Sequence, residues 1–138
     1  MDEQRKTARL DGKVALITGA GAGMGREHAL LLAARGARIA VQDIDCASAE
    51  ETARRVTSAG GEAEIFVSDV AVVDAIKRTV REAEAKWGRI DILVNNAGIH
   101  ERRPLEEMEE PHFQRMFDVH VKGAFFATQA AVPGMKAR

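Results

Sequence analysis

Short apolar, β-branched runs alternate along this chain with longer stretches whose apolar residues recur every three or four positions. Val14-Ala15-Leu16-Ile17-Thr18 is a nearly continuous apolar run, the pattern of a strand covered on both faces. Arg38-Ile39-Ala40-Val41-Gln42-Asp43, Glu64-Ile65-Phe66-Val67 and Ile92-Leu93-Val94-Asn95 read as further strands. Between the first two, Gly25 to Arg35 reads as a helix, with Gly36 where a left-handed cap belongs. Ser48 and Glu51 have capping-box spacing and are expected to open a second helix, closed by Gly60-Gly61. A third helix places Val73, Ile76, Val80, Ala83 and Trp87 on one stripe before Gly88. A fourth is expected to start at Pro111, to carry Phe113, Phe117, His120, Ala124 and Ala131 on one face, and to kink or end at Pro133-Gly134.

Strand and helix thus succeed each other four times, with no internal repeat or linker. Right-handed crossovers between such units give a parallel sheet. The expected fold is α/β, a partial Rossmann-type doubly wound sheet with strand order 3-2-1-4 and a ligand crevice at the strands' carboxyl ends. Residues 10–138 are expected to form this unit. Residues 1–9 are charged, lack the apolar core of a secretory signal, and read as a disordered leader. A fifth strand is not found before Arg138, so the unit is expected to be truncated.

Composition narrows the functional classes. The 138 residues, 46% of them apolar, suffice for one domain. Lys and Arg total 20 against 21 Asp and Glu, which gives no basic excess for nucleic acid or an anionic membrane. No apolar run is long enough to span a bilayer. Cys46, the single cysteine, excludes an internal disulfide and suits a reducing, cytoplasmic setting. There is no tyrosine.

Thr18-Gly19-Ala20-Gly21-Ala22-Gly23-Met24-Gly25 joins the first strand to the first helix. Glycines there let a phosphate approach the main chain, and the helix N-terminus favours an anion. A flexible turn needing glycine only for packing is the alternative. Asp43 closes the second strand 18 residues past Gly25, where a carboxylate accepts hydrogen bonds from ribose hydroxyls and repels a 2′-phosphate. The loop holds no Lys or Arg, so NAD is favoured over NADP. Asp45 reads as a solvated neighbour.

The chain resembles the short-chain dehydrogenase/reductase family in three segments: the T-G-x-x-x-G-x-G loop from Thr18 to Gly25, Asp69-Val70 after the third strand, and Asn95-Asn96-Ala97-Gly98 after the fourth. The resemblance implies an NAD-dependent oxidoreductase that moves a hydride between the nicotinamide and a small alcohol or carbonyl. It implies that Asp69 hydrogen-bonds the adenine amino group beside the Val70 main chain. Asn95 would tie the central strands, Asn96, Ala97 and Gly98 would line the ribose and phosphates, and Met24 would lie by the pyrophosphate. Without the resemblance, Asp69 is a helix N-cap and the asparagines are turn formers.

The sequence departs from the family pattern at the catalytic residues. The family's Ser and Tyr-x-x-x-Lys are not present: Ser48, Ser58 and Ser68 all precede the fourth strand. Where family helices read Asn-x-x-Gly, this chain has His120-Val121-Lys122-Gly123. His120 could hold a relay water and carry a proton; the alternative is a core-facing histidine satisfied by one hydrogen bond. Lys122 lies on another helix face and does not replace the missing lysine.

No metal site is expected, because no carboxylate or cysteine pattern accompanies His112 and His120. Cys46 is not expected to be a catalytic thiol. Arg102 and Arg103 could reach a phosphate, or be solvated charge.

Two other classes stay open. One is a non-catalytic nucleotide-binding module. The other is a self-associating module, a homo-oligomer paired through the fourth helix or the exposed edge of strand four. A methyltransferase shares the glycine loop and the acid, but the Asn-Asn-Ala-Gly segment argues against it.

Overall fold

The fully buried run Val14–Ile17 is β1, the centre of a parallel sheet in a computed structural model that describes residues 8–138. Of the expected leader, residues 1–7 lie outside the described residues, and Arg9 pairs with Asp11 at 2.7 Å. The other strands are β2 (Arg38–Asp43), β3 (Glu62–Val67) and β4 (Ile92–Val94), in the order β3-β2-β1-β4. Leu16 stands opposite both Ala40 and Leu93, which fixes the register of β2, β1 and β4.

Side chains alternate across the sheet. Ala15, Ile17, Ile39 and Val41 pack on one face with Ala29, Ala49 and Val56. Those three come from α1 (Gly23–Ala34) and α2 (Cys46–Ser58). Val14, Leu16 and Ala40 pack on the other face with Val80, Ala83 and Ala131. Covering both faces is what makes β1 apolar throughout. On α3 (Val73–Trp87) the expected stripe buries Ile76, Val80 and Ala83, and Gly88 caps the helix at φ 76°.

Two expectations about helices are corrected. First, α2 is not opened by Ser48 and Glu51. Asp45 is the N-cap and its carboxylate accepts the Ser48 amide at 3.1 Å. Glu51 faces outward onto Arg54 and Arg55, whose hydrogen bonds lower its pKa to about 2. A carboxylate three residues earlier took the capping role first.

Second, the fourth helix is not one regular helix. It comprises α4 (Glu110–Phe117), a π-helical turn (Asp118–Lys122) and α5 (Gly123–Lys136). Pro133 lies inside α5, which runs on past it. The π turn inserts one extra residue and rotates α5 relative to α4. Val119 and Ala127 therefore pack against Val70, Ala71 and Ile76, Gly123 against Val70, and Ala131 against Val80 and Ala83, while Phe113, Phe117, Val121 and Phe125 form an exposed stripe.

Candidate functional site

The carboxyl ends of the strands open into a cleft of about 310 Å³. The glycine loop contributes Gly19 and Ala22, and β2 ends there with Asp43. The loop after β3 brings Asp69 and Val70, and the segment after β4 brings Asn96, Ala97 and Gly98. Thr18, Gly21 and Gly25 are not on its surface; they build its wall. Gly23 and Met24 border a separate shallow hollow with Arg26, Glu27 and His28, and Met24 is 73% exposed.

The wall is a set of cross-strand hydrogen bonds. Thr18 Oγ1 accepts the amides of Asn96 and Ala97, both at 3.0 Å. The Asn96 side-chain amide donates to the Thr18 carbonyl at 3.0 Å and to that of Gly19 at 3.2 Å. Asn96 therefore ties β1 to β4, the role expected of Asn95. Asn95 is exposed and reaches Thr128 on α5 at 3.1 Å instead, because successive residues leave a strand on opposite sides. Gly25 is buried against Gly19 and the Asn96 amide, with no room for a side chain.

Asp43 holds the glycine loop. Its Oδ2 accepts the Gly21 amide at 2.8 Å and its Oδ1 the Asp45 amide at 3.0 Å. A carboxylate has about four acceptor positions, so two stay available toward the cleft. A Cβ on Gly21 would fall 2.7 Å from Asp43 Oδ2. Next to it, buried Gln42 accepts the Gly19 amide at 3.1 Å through Oε1. Its Nε2 donates to the Ser68 carbonyl at 2.7 Å, and the Ser68 hydroxyl lies 2.8 Å from that of Thr79. From within β2, Gln42 thereby links the loops after β1 and β3. Its signal in the sequence was a polar residue interrupting a buried strand.

Two arginines that sequence reasoning passed over also shape the site. Arg26, in the first turn of α1, donates to the Gly21 carbonyl and, at 2.9 Å, to the Thr52 hydroxyl. Thr52, fully buried, donates onward to the Ala20 carbonyl at 2.9 Å. Arg115 on α4 reaches Asp69 Oδ2 at 3.1 Å, while Asp69 Oδ1 accepts the Ala71 amide at 2.9 Å. Asp69 is thus not the N-cap of α3; that position is Val72.

His120 sits on the π turn and is exposed, not core-facing. Its Nε2 lies 3.1 Å from the Ile99 amide and 2.8 Å from the Ile99 carbonyl. A protonated Nε2 donates to the carbonyl and an unprotonated one accepts the amide, so the tautomer selects the partner. A Cβ on Gly98 would meet His120 Cε1 at 2.7 Å.

Lys122 pairs with Asp118 at 3.1 Å. Hydrogen bonds from Gln114 and then Lys122 hold the Asp118 carboxyl below its usual range. Lost hydration, and then the neighbouring Glu50 carboxylate, push the Cys46 thiol above its usual range, the opposite of an activated thiolate. Arg103 pairs with Glu101 at 2.9 Å. Among the described residues no group of three His, Cys, Asp or Glu side chains could hold a metal ion. No helix among them is long and apolar enough to cross a membrane.

Comparison with known proteins agrees with this architecture. The family model for short chain dehydrogenases matches residues 13–138. The chain is 47% identical over 138 residues to the peroxisomal multifunctional enzyme type 2 of Drosophila melanogaster, covering 93% of this chain and 22% of that protein. It is 41% identical over 130 residues to galactitol 2-dehydrogenase of Agrobacterium fabrum, covering 94% of this chain and 50% of that one.

Among solved structures, a hydroxysteroid dehydrogenase from Escherichia coli superposes with a TM-score of 0.90 at 36% identity, over 94% of this chain and 55% of that one. A metagenomic short-chain oxidoreductase in complex with NADP does so with a TM-score of 0.89 at 35% identity, over 93% and 58%. The chain therefore spans between about a fifth and just over half of the length of these relatives. It belongs to the short chain dehydrogenase family.

Proposed function

We propose that this short chain dehydrogenase family member binds a nicotinamide dinucleotide in the cleft, NAD in preference to NADP, as the cofactor half of an oxidoreductase. Asp43 carries the reading. A carboxylate at the end of β2, already fastened to the glycine loop through Gly21, offers its remaining lone pairs to the ribose hydroxyls and repels a 2′-phosphate. Because one similar structure is a complex with NADP, the scaffold does not decide between the two cofactors. The side chain at this position does.

Asp69 and Val70 serve the adenine end, and Asn96, Ala97 and Gly98 the ribose and phosphates. At α1 the N-cap is Ala22, without a side-chain cap and with no acid in the first turn. The amides of Gly23, Met24 and Gly25 thus remain for a pyrophosphate. The cofactor, when bound, supplies hydride chemistry on an alcohol or carbonyl. His120, fixed to Ile99, stands where the family has asparagine and would hold a water for proton transfer. With no tyrosine in the sequence, these 138 residues by themselves bind dinucleotide without turning substrate over.

The test is titration of the protein with NADH and NADPH, followed by nicotinamide fluorescence, with alcohol oxidation assayed in parallel. NADH binding at least ~10-fold tighter than NADPH supports the reading, since a lost charge-assisted hydrogen bond costs that much. Equal binding removes Asp43 from the ribose site. Turnover by these residues alone refutes the argument from the missing tyrosine.

A second reading, self-association, is favoured by the exposed stripe of Phe113, Phe117, Val121 and Phe125, whose exposures run from 48% to 59%. Phe113 and Phe117 stack at 4.7 Å. Sedimentation velocity of the protein and of Phe117→Glu tests it: a dimer lost in the variant supports the stripe, and a monomer in both rejects it.

A further inference from the structure

Within the cleft the two carboxylates are held differently. Asp43 is fastened by main-chain amides alone. Asp69 is held by one amide, from Ala71, and by the guanidinium of Arg115, a residue 46 positions further along the chain. Arg115 is the one cation among the described residues lining the cleft. The Asp69–Arg115 pair is partly exposed, 27% and 43%, and a pair this open adds little to stability. What it does is fix a direction. With one oxygen on Ala71 and the other on Arg115, the carboxylate is held in one orientation at the surface of the cleft. Beside it the planar fork of Arg115 has further N–H groups.

An acceptor and a donor side by side complement a particular kind of ring edge: an amino group next to an unprotonated ring nitrogen. Adenine presents that edge. Hypoxanthine, with an oxo group in place of the amino group, sets an acceptor against the carboxylate.

We propose that Arg115 is a positioning residue that sets base preference at the adenine end of the cleft, by holding Asp69 oriented as the acceptor for an exocyclic amino group. This rests on the dinucleotide reading and adds to it a residue that acts on the choice of base, separately from Asp43 and the ribose.

The experiment compares binding of NADH with that of its hypoxanthine analogue, in the protein and in Arg115→Met, Arg115→Lys and Asp69→Asn. The native protein is expected to favour adenine by ~10-fold, the cost of leaving a charged acceptor facing an oxo group. Arg115→Met should cut that ratio to about threefold or less, because a carboxylate free to turn loses discrimination. Arg115→Lys should keep most of it by retaining the charge. Asp69→Asn should abolish it, since an amide turned either way meets either base.

Circular dichroism and the NADH-over-NADPH ratio, set by Asp43, serve as controls that a merely structural loss would also move. A native ratio in Arg115→Met overturns the role of Arg115 and leaves the dinucleotide reading standing. Absence of NADH binding by the native protein overturns both.

Discussion

The Asp43 carboxylate accepts the Gly21 amide at 2.8 Å, so the acid at the end of β2 and the glycine loop after β1 are one mechanical unit. Replacing Asp43 has two separable effects. Asp43→Asn can still accept the Gly21 amide but loses the charge; Asp43→Ala loses both. Asn should narrow the NADH-over-NADPH preference by ~10-fold with little change in melting temperature. Ala should narrow it as much and destabilise the fold by about 1 kcal/mol besides. Parallel titrations and thermal melts would separate the two effects; an identical melt for both variants would show that the Gly21 contact contributes nothing.

Gly21 also limits what the loop tolerates. A methyl group there would sit 2.7 Å from Asp43 Oδ2 and 2.8 Å from Ser48 Cβ. Gly21→Ala is expected to displace the carboxylate and weaken NADH binding by ~10-fold or more, since overpacking of this kind costs about 1–3 kcal/mol. Unchanged affinity would mean that Asp43 has a second position equally fit to bind.

Thr52 is the buried link of the clamp that runs from Arg26 to the loop carbonyls. Thr52→Val keeps the volume and removes the hydroxyl, leaving the Ala20 carbonyl and one Arg26 N–H without their partner. The expected loss of stability is about 1–3 kcal/mol, read from urea unfolding. A smaller effect for Thr52→Ser, which retains the hydroxyl, would attribute the loss to the hydrogen bonds.

Asp91 predicts a pH dependence. Its Oδ2 accepts the Val14 amide at 2.9 Å and the Arg89 Nε at 2.8 Å. The Arg89 hydrogen bond, and then that of Val14, hold its pKa below the ordinary value. Because the folded value is the lower one, the contribution is complete above the unfolded carboxylate value. It disappears as pH falls through the folded value. Asp91→Asn should therefore cost about 1–2 kcal/mol at pH 7. That difference should shrink below about pH 4. A constant difference down to acid would assign the effect to packing.

What could be read from the sequence was whatever burial writes into residue type. β1 shows as an unbroken apolar run because Val14 and Leu16 face one helical layer and Ala15 and Ile17 the other. Ile76, Val80 and Ala83 mark α3 for the same reason. Its spacing from the glycine loop located Asp43 in the cleft, and the family segments located Asp69 and Asn96 there. They did not show that Asn96, and not Asn95, ties β1 to β4, which depends on which way each side chain leaves the strand. Asp45, read as a solvated neighbour, is the cap of α2 in place of Ser48; both offer an oxygen, and only the backbone chose. Arg115 left no trace, since nothing local connects an arginine on α4 with an acid 46 residues before it. The π turn left none either, because one surplus residue in a helix has no side-chain signature.

That surplus residue works like a gear advanced by one tooth. Each residue of a helix turns the chain by ~100°, so deleting one from Asp118–Lys122 would give a better hydrogen-bonded rod with its faces exchanged. Gly123, Ala127 and Ala131 would swing away from α3 and Val70, and side chains as large as Phe125 would be driven toward space now filled by glycine and alanine. His120 would lose its alignment with Ile99 in the same movement. The irregular turn thus sets the phase between the helix that walls the cleft and the helix that closes the core, and a shorter, more regular chain would be the worse protein.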